Sequence, residues 1–284
     1  MNLLEGANRV PLIRLFISDV DGTLVRHDKS LTDATVAAFG RLRAAGIKST
    51  LISARPPSGI LHLAEALAID GPLGAFNGGT LVRRDGTVSD VERLDPDLVA
   101  KLLAVMTRPG IDIWLFSGGL WYARTDDNPH TPREILSAGV KPTLRPIAEM
   151  PVRAVDKIVG VSDDAALLIE VEADAKAAAG GRATIARSQA YFLDVTAVKA
   201  NKGDGVTALA RVCGVPLDEV AVIGDQANDL PMFAKAGVSI AMGQAPDAVK
   251  AAADAVTASN DEDGVAVAID RILGGGLERK GPGF

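Results

Sequence analysis

Two aspartates end an apolar run near the start of the chain. Residues 16–25 read FISDVDGTLV, so Asp19 and Asp21 flank Val20 and a glycine follows at once. Two carboxylates this close repel each other unless one is protonated or a cation neutralises both. The pair therefore indicates either a plain Asp-Gly turn or a site of acid chemistry. A calcium loop is excluded, because the positions that need Gly and Glu when counted from Asp19 hold Leu and Ser.

A second acidic cluster lies far along the chain, in the stretch IGDQANDLPM at 223–232. Pro231 suits the first turn of a helix, and Asp229 is a candidate for its N-cap. Asp225 has no such duty and is left as an oxygen ligand, with Asn228 in the same turn. Because neither cysteine nor a histidine pair accompanies these carboxylates, they favour the hard cation Mg²⁺ over zinc.

Such a site would repel an anionic substrate unless positive charge were also present. The stretch VKANKGDGV at 198–206 supplies it, because Lys202 stands just before Gly203 at a predicted helix start. An ammonium at a helix N-terminus makes an anion pocket, although a solvent-facing lysine is the common alternative. The hydroxyl of Ser53 and the backbone N–H of Ala54 are further donors to such an anion.

The elements around these residues predict how they come together. Strand-like runs alternate with amphipathic helices in both end regions of the chain, which predicts a parallel sheet with right-handed crossovers. In open sheets of this kind, ligands bind at the carboxyl ends of the strands. Four polar residues follow predicted strands directly, namely Asp19, Ser53, Asn77 and Asp225. We therefore predict an α/β fold with a doubly wound parallel sheet and one polar rim.

The middle of the chain has a different texture. Residues from about 90 to 190 hold both tryptophans and many prolines, and helical stretches there lie between strand-like ones. This predicts an inserted α+β domain that divides the sheet in two. We expect a first core segment at 1–88, the insert at 89–188 and a second core segment at 189–284. Just before the insert, Asp85-Gly86 predicts a hairpin.

Composition narrows the class of protein. The chain has 284 residues, 48% of them hydrophobic and 23% charged, which suits a globular protein with a substantial core. The net charge of −6 gives no reason to expect nucleic acid as a partner. A single cysteine excludes internal disulfides and fits a reducing compartment. Neither a signal peptide nor an apolar run of about 18 residues is present, so we expect a cytoplasmic protein without a membrane partner.

The motifs together resemble a known family. DVDGTL, LISAR, NKG and GDQANDLPM occur in the order of the four motifs of the haloacid dehalogenase-like (HAD) phosphohydrolase superfamily. The resemblance covers nearly the whole chain. The place of the insert, between the second and third motifs, and the segment FNGG at 76–79 resemble the Cof-type subfamily with a C2-type α/β cap. The fold this implies is a Rossmann-like core with an inserted α+β cap.

The resemblance implies a Mg²⁺-dependent phosphatase that hydrolyses small phosphorylated metabolites, such as sugar phosphates, through an aspartyl-phosphate. It makes Asp19 the nucleophile and Asp21 the general acid and base. Mg²⁺ would be held by Asp19, by the backbone carbonyl of Asp21 and by Asp225. The resemblance further implies that phosphate is bound by Ser53, Ala54 and Lys202. It implies that Asn228 and Asp229 support the loop. Its substrate-side candidates are Arg55, Asn77, Gly78 and Asn201. Cap residues that could face the site are Trp121, Tyr122, Arg124 and His130, although packing of the cap core is the favoured interpretation for each aromatic one.

Two departures from the family pattern affect loops rather than catalytic side chains. Ala54 replaces the usual Gly of the second motif, and Gln226 follows Asp225 where Gly is common.

Three other functions stay open. A phosphomutase would use the same motifs. A receiver-like signalling domain is disfavoured, because its phosphorylated Asp lies on a later strand and it needs only about 120 residues. A degenerate binding module is disfavoured by the retained carboxylates and Lys202.

Overall fold

The structure is a computed structural model that describes residues 12–277. Most of the segment tested above for signal-peptide features lies outside the described residues. The strands, in chain order, are β1 Leu15–Ser18, β2 Lys48–Leu51, β3 Leu73–Ala75, β4 Thr80–Val82, β5 Val88–Val91, β6 Asp112–Ser117, β7 Leu120–Ala123, β8 Thr143–Leu144, β9 Val155–Val161, β10 Ala183–Gln189, β11 Phe192–Ala197, β12 Val220–Gly224, β13 Val238–Ala241 and β14 Ala255–Val256. The α-helices are α1 Asp33–Ala44, α2 Ser58–Ala66, α3 Pro96–Met106, α4 Thr131–Ala138, α5 Ala165–Ala179, α6 Lys202–Cys213, α7 Leu230–Phe233, α8 Asp247–Ala252 and α9 Gly264–Leu273.

A five-stranded parallel sheet forms the core, with the strand order β14-β13-β12-β1-β2. The three inner strands, β13, β12 and β1, are short, mainly apolar runs that are fully buried, as expected for a parallel sheet covered on both faces. Successive residues of β1 point to opposite faces: Phe16 packs into one apolar cluster, whereas Leu15 and Ile17 pack into another. The predicted α/β class and doubly wound sheet are confirmed.

Helices cover both faces of this sheet because each has an apolar side that needs burial. On one face, α1 contributes Phe39 and Leu42, and α9 lies against α1. On the other face, α6 contributes Val206 and Leu209 and contacts α7. The helix boundaries follow their caps: the side chain of Thr32 accepts the N–H of the first turn of α1, as its sequence position predicts.

The inserted region is built on a six-stranded sheet with the order β10-β11-β9-β6-β7-β8. One face of it packs on α3 and α5 through residues such as Leu115 and Ile158. The opposite face carries Trp114, Phe116 and Val159, which join the apolar cluster that begins in the core. We call this second face the core-facing side of the cap. It lies over the carboxyl edge of the core sheet.

A small antiparallel sheet of β3, β4 and β5 adjoins the core sheet, since Gly74 of β3 pairs with Ile52 just after β2, and the hairpin predicted at Asp85-Gly86 connects β4 to β5. β5 extends to Val91, and β10 and β11 form one hairpin in the cap sheet. Boundaries at 88/89 and 188/189 would therefore cut into β5 and into the β10 strand. We propose boundaries after β5, at about 92, and after β11, at about 198.

Between residues 12 and 277, every helix is too short or too polar to span a bilayer.

Candidate active site

Asp19 and Asp21 lie where β1 ends, at the carboxyl edge of the core sheet. Asp19 is buried, and the backbone turns sharply at Gly22, which has a φ of +77°. A side chain at Gly22 would collide with Asp225, because its Cβ would lie 2.4 Å from the Asp225 carboxylate. Glycine therefore allows the ends of β1 and β12 to bring their aspartates together.

Lys202 supplies the cation that the sequence predicted. It is the first residue of α6, whose N-cap is Asn201, and only 1% of its surface is exposed. Its Nζ lies 2.6 Å from Asp19 Oδ1 and 2.5 Å from Asp229 Oδ1. Burial alone would lower the pKa of Lys202, but the two carboxylates outweigh burial and raise this pKa. Lys202 is therefore charged, and it fixes one oxygen of Asp19.

Asp229 holds the loop after β12 rather than capping α7. Its Oδ2 accepts the backbone N–H groups of Asp225 and Gln226, each at 2.8 Å. Gly224 permits this, since a Cβ there would lie 2.4 Å from the Asp229 carboxyl carbon. The predicted N-cap role is thus replaced by a fold-back, because a fully buried carboxylate takes the nearest unpaired N–H groups.

Three buried carboxylates cluster around a single lysine. One oxygen each of Asp19, Asp225 and Asp229 lies within 4.8 Å of the others. Burial raises the pKa of Asp19 to about 8 despite Lys202, and burial together with the Asp229 charge raises the pKa of Asp225 to about 6. Both shifts have the same origin, an excess of negative charge in a buried place. An oxygen-only site with this excess fits a hard divalent cation such as Mg²⁺.

Within this cluster, the two predicted metal ligands differ from Asp229. Both oxygens of Asp229 already accept hydrogen bonds, from Lys202 and from the loop backbone. Within the described range 12–277, the hydrogen bonds that the Asp225 carboxylate accepts come from side chains, Thr23 at 3.2 Å and Gln226 at 3.1 Å. Asp19 and Asp225 are therefore the carboxylates better placed to accept a cation.

Asp21 is held very differently from Asp19. Arg55 Nε and Nη2 lie 2.7 Å from its two carboxylate oxygens, and Lys29 Nζ lies 2.5 Å from Oδ1. Burial acts to raise the pKa of Asp21, but the guanidinium and the ammonium outweigh it and hold this pKa well below the usual range. In this conformation Asp21 is therefore ionised. Lys29 was not predicted as a site residue; it lies in the following loop with a φ of +69°.

The remaining predicted residues divide into those that line the cavity and those that do not. Ser53, Ala54, Arg55 and Asn228 line the cavity beside Asp19, Asp21 and Asp225. Ser53 is buried, and its Oγ accepts the N–H of Arg55 at 3.2 Å.

Three substrate-side candidates are outside this lining, and each has a structural role. Asn77 donates its N–H to the Ser53 carbonyl in a left-handed conformation. Gly78 lies against Gly205, where a Cβ would be 2.4 Å from the Gly205 Cα. Asn201 caps α6 through the N–H of Asp204. Among residues 12–277, these three support the strands and helix that carry Ser53 and Lys202.

The cap closes the other side of the cavity with residues that the sequence did not single out. Arg133, Glu134 and Ser137 come from α4, Lys157 from β9, and Ser188, Gln189, Tyr191 and Phe192 from the β10–β11 hairpin. Of these cap residues, Lys157 could have been singled out from the sequence, because a charged residue within a mainly apolar strand is unusual.

The four cap residues expected to face the site lie elsewhere in the cap. Trp121 is buried against Phe116, with 5.9 Å between ring centroids, and Arg124 pairs with Asp112 at 3.0 Å. Tyr122 lies under Arg145. His130 stacks on Tyr191 at 3.8 Å and so reaches only the edge of the cavity.

Comparison with known proteins places this geometry in a family. A family model described as haloacid dehalogenase-like hydrolase matches residues 16–269. The chain belongs to the haloacid dehalogenase-like hydrolases. The membership expected from the four motifs is thereby confirmed, and so is the expectation that the chain is an enzyme.

Individual relatives of this hydrolase agree with the family match. A putative phosphatase of Haemophilus influenzae is 32% identical over 260 residues, which covers 91% of this chain and 98% of the relative. An HMP-PP phosphatase of Escherichia coli is 27% identical over 242 residues, covering 84% of this chain and 88% of the relative.

Solved structures share the fold over nearly the whole of the hydrolase. A haloacid dehalogenase-like hydrolase from Bacteroides thetaiotaomicron superposes with a TM-score of 0.83 at 30% identity, covering 92% of this chain and 99% of the other. A sugar phosphatase of subclass IIB of the superfamily superposes with a TM-score of 0.80 at 25% identity, with the same coverage. The inserted cap is part of this shared architecture.

Proposed function

We propose that this hydrolase is a Mg²⁺-dependent phosphatase that acts on small phosphorylated metabolites through an aspartyl-phosphate. One observation carries the proposal. Asp19, a buried carboxylate fixed by Lys202, faces a cavity beside the second buried carboxylate Asp225. Phosphatase relatives and the sugar phosphatase with the same fold support the substrate class.

The charges of the site suit a phosphate ester. Four aspartates around the cavity, Asp19, Asp21, Asp225 and Asp229, face three cations, Lys29, Arg55 and Lys202. A bound Mg²⁺ would be held by Asp19, Asp225 and the Asp21 carbonyl, and it would neutralise phosphoryl charge. With that ion present the site would be positive overall and would attract an anion.

The two aspartates of β1 then take different parts in the reaction. Asp19 attacks phosphorus with the oxygen that Lys202 does not hold, and the P–O bond to the leaving alkoxide breaks. Asp21, kept ionised by Arg55 and Lys29, suits the later step, in which it takes a proton from the water that attacks the aspartyl-phosphate. To serve first as acid, Asp21 must gain a proton, and this requires the substrate phosphoryl group to draw Arg55 away from it.

Variants of the two aspartates test these roles. Asp19→Asn removes the nucleophile, so every phosphate ester should become inert. Asp21→Asn should slow cleavage of a sugar phosphate by about 10²–10⁴, since a sugar alkoxide needs the proton. Nitrophenyl phosphate has a good leaving group, so this variant should release nitrophenol in a burst followed by slow turnover. Rapid mixing with both esters measures the effect, and equal losses without a burst would refute the role of Asp21.

Metal dependence is tested separately. Phosphate release should stop in excess chelator and return with Mg²⁺ but poorly with Ca²⁺, whose looser and higher coordination spoils in-line geometry. Full activity in chelator would refute the metal assignment while leaving the aspartyl-phosphate to be tested by Asp19→Asn.

A further inference from the structure

The core-facing side of the cap carries an ion pair on an otherwise apolar surface. Lys157 of β9 and Asp194 of β11 are both buried, with Nζ and Oδ2 2.7 Å apart. Their neighbours on the same face of the sheet include Phe116 and Val159. A buried ion pair is commonly no more stabilising than a well-packed apolar pair. Its presence directly over a cavity therefore calls for a functional explanation.

The core-facing side of the cap forms one wall of the cavity, and polar groups on this cap wall have unused hydrogen-bonding capacity. Asp194 Oδ1 is buried and has no hydrogen-bond partner among residues 12–277. Glu134 of α4 lines the cavity, and its carboxyl group makes neither a hydrogen bond nor an ion pair within the same range. Lys157 also lines the cavity, and its Nζ pairs with Asp194 Oδ2 at 2.7 Å without hydrogen-bond geometry, so its three N–H donors have no hydrogen-bond partner among residues 12–277. Buried polar groups are normally partnered, so these point to a polar ligand.

The charges on the cap wall favour an uncharged leaving group over an anionic one. Lys157 is already neutralised by Asp194, and Glu134 adds a further carboxylate, so the interior of the wall has no cation to spare. Of the cations that line the described cavity, only Arg133 is unpaired, and it is exposed at the rim. Above pH 7, where Glu134 is mainly ionised, a second phosphate on the leaving group would therefore meet its carboxylate without a compensating charge. Hydroxyl groups, in contrast, both donate to carboxylates and accept from an ammonium.

We propose that Glu134 and the Lys157–Asp194 pair determine specificity for the leaving group, favouring an uncharged one that bears hydroxyls and rejecting one that bears a second phosphate. The inference rests on the proposed phosphatase function. It assigns to the cap both an attractive contact and a repulsive one, which is how selective sites commonly discriminate.

Substitutions at the wall test this inference through ratios of kcat/KM. The substrates are nitrophenyl phosphate, a panel of hexose and pentose monophosphates, and the matching sugar bisphosphates. Glu134→Lys replaces the repulsive charge with an attractive one, so the ratio of bisphosphate to monophosphate kcat/KM should rise at least tenfold. Replacing the pair in the double variant K157M/D194L removes its donors and acceptors. The ratio of sugar monophosphate to nitrophenyl phosphate kcat/KM should then fall about 10- to 100-fold. Glu170→Gln, on exposed α5 away from the cavity, should leave both ratios unchanged.

The outcomes separate the two levels of the proposal. Failure of the wild-type enzyme to hydrolyse any of these esters would refute the phosphatase function itself. Hydrolysis with both ratios unchanged in Glu134→Lys would overturn the specificity inference alone. A wild-type preference for bisphosphates that disappears in Arg133→Ala would also overturn it. Thermal melting checks the double variant, and if that variant does not fold, Glu134→Lys decides.

Discussion

Gly22 offers a sharp test of how the backbone positions the site. Gly22→Ala would place a methyl group 2.4 Å from Asp225 Oδ2, whereas ordinary contacts begin near 3.4 Å. The Asp225 carboxylate must therefore retreat by about 1 Å, and displacements of that size can reduce catalysis about 10²-fold. The left-handed conformation at Gly22 adds a cost of about 1–2 kcal/mol to folding.

Gly46 is a matched control for the backbone cost. Its φ of +76° is nearly that of Gly22, but a Cβ at Gly46 would have no atom within 4 Å. Gly46→Ala should therefore lower the free energy of unfolding by about 1–2 kcal/mol and leave kcat/KM unchanged. Gly22→Ala should lose at least as much stability, lose about 10²-fold in kcat/KM and need more Mg²⁺ for half-maximal activity.

Two measurements suffice for this comparison, urea unfolding at pH 7 and hydrolysis of nitrophenyl phosphate across a Mg²⁺ titration. If both variants lost the same stability and both kept wild-type kinetics, the close approach of Gly22 to Asp225 would have no part in the site. Loss of activity in Gly46→Ala would equally refute the reasoning, because it would trace the effect to the backbone cost alone.

Three further predictions concern charge and the contact between cap and core. Lys202→Met leaves two buried carboxylates without their cation, so the free energy of unfolding in urea at pH 7 should fall by about 3–5 kcal/mol; a loss below about 1 kcal/mol would contradict this. Burial raises the pKa of Glu134 to about 7, above its ordinary 4.5. The folded state therefore holds the Glu134 proton more tightly than the unfolded chain does, and the protein loses stability as pH rises from 4.5 to about 7. Glu134→Gln should therefore be more stable than wild type at pH 8 in urea unfolding, with no such advantage at pH 4; a gap independent of pH would count against it. Gly59→Ala would place Cβ 2.2 Å from the Ser137 carbonyl oxygen and push α4 away from α2, so kcat/KM should fall, whereas Gly71→Ala, with open space around it, should behave as wild type.

The sequence predicted the rim of the core sheet because that rim depends on local rules. Apolar runs end at Asp19, Ser53 and Asp225, and parallel strands bring their carboxyl ends to one edge. The helix start at Thr32 also depends on a local rule, since a capping residue acts on its own first turn, whereas Asn201 was expected on the substrate side and instead caps α6. The motif order then added the family, which the comparison confirms.

What the sequence did not predict depends on pairing between distant segments. β11 belongs to the cap sheet because it pairs with β9 and β10, and its own residues carry no sign of that choice. The clamp on Asp21 is similar, because Arg55 follows another strand and Lys29 reaches back from a loop. At the cap wall, Lys157 and Glu134 come from separate elements that meet only in the folded chain.

The central position of β1 has a consequence for how the chain is made. Leu15 of β1 pairs with Val220 of β12, so one side of β1 acquires its neighbour only after the whole inserted cap has been made. At ribosomal speeds of about 5–20 residues per second, that edge stays open for about 10–40 seconds. β2 covers the other side early, which leaves a buried, apolar strand with unpaired backbone groups on the nascent chain. An open edge of this kind invites pairing with other chains. We therefore expect the inserted cap to make the yield of native enzyme depend on translation speed and on shielding of β1 until β12 emerges.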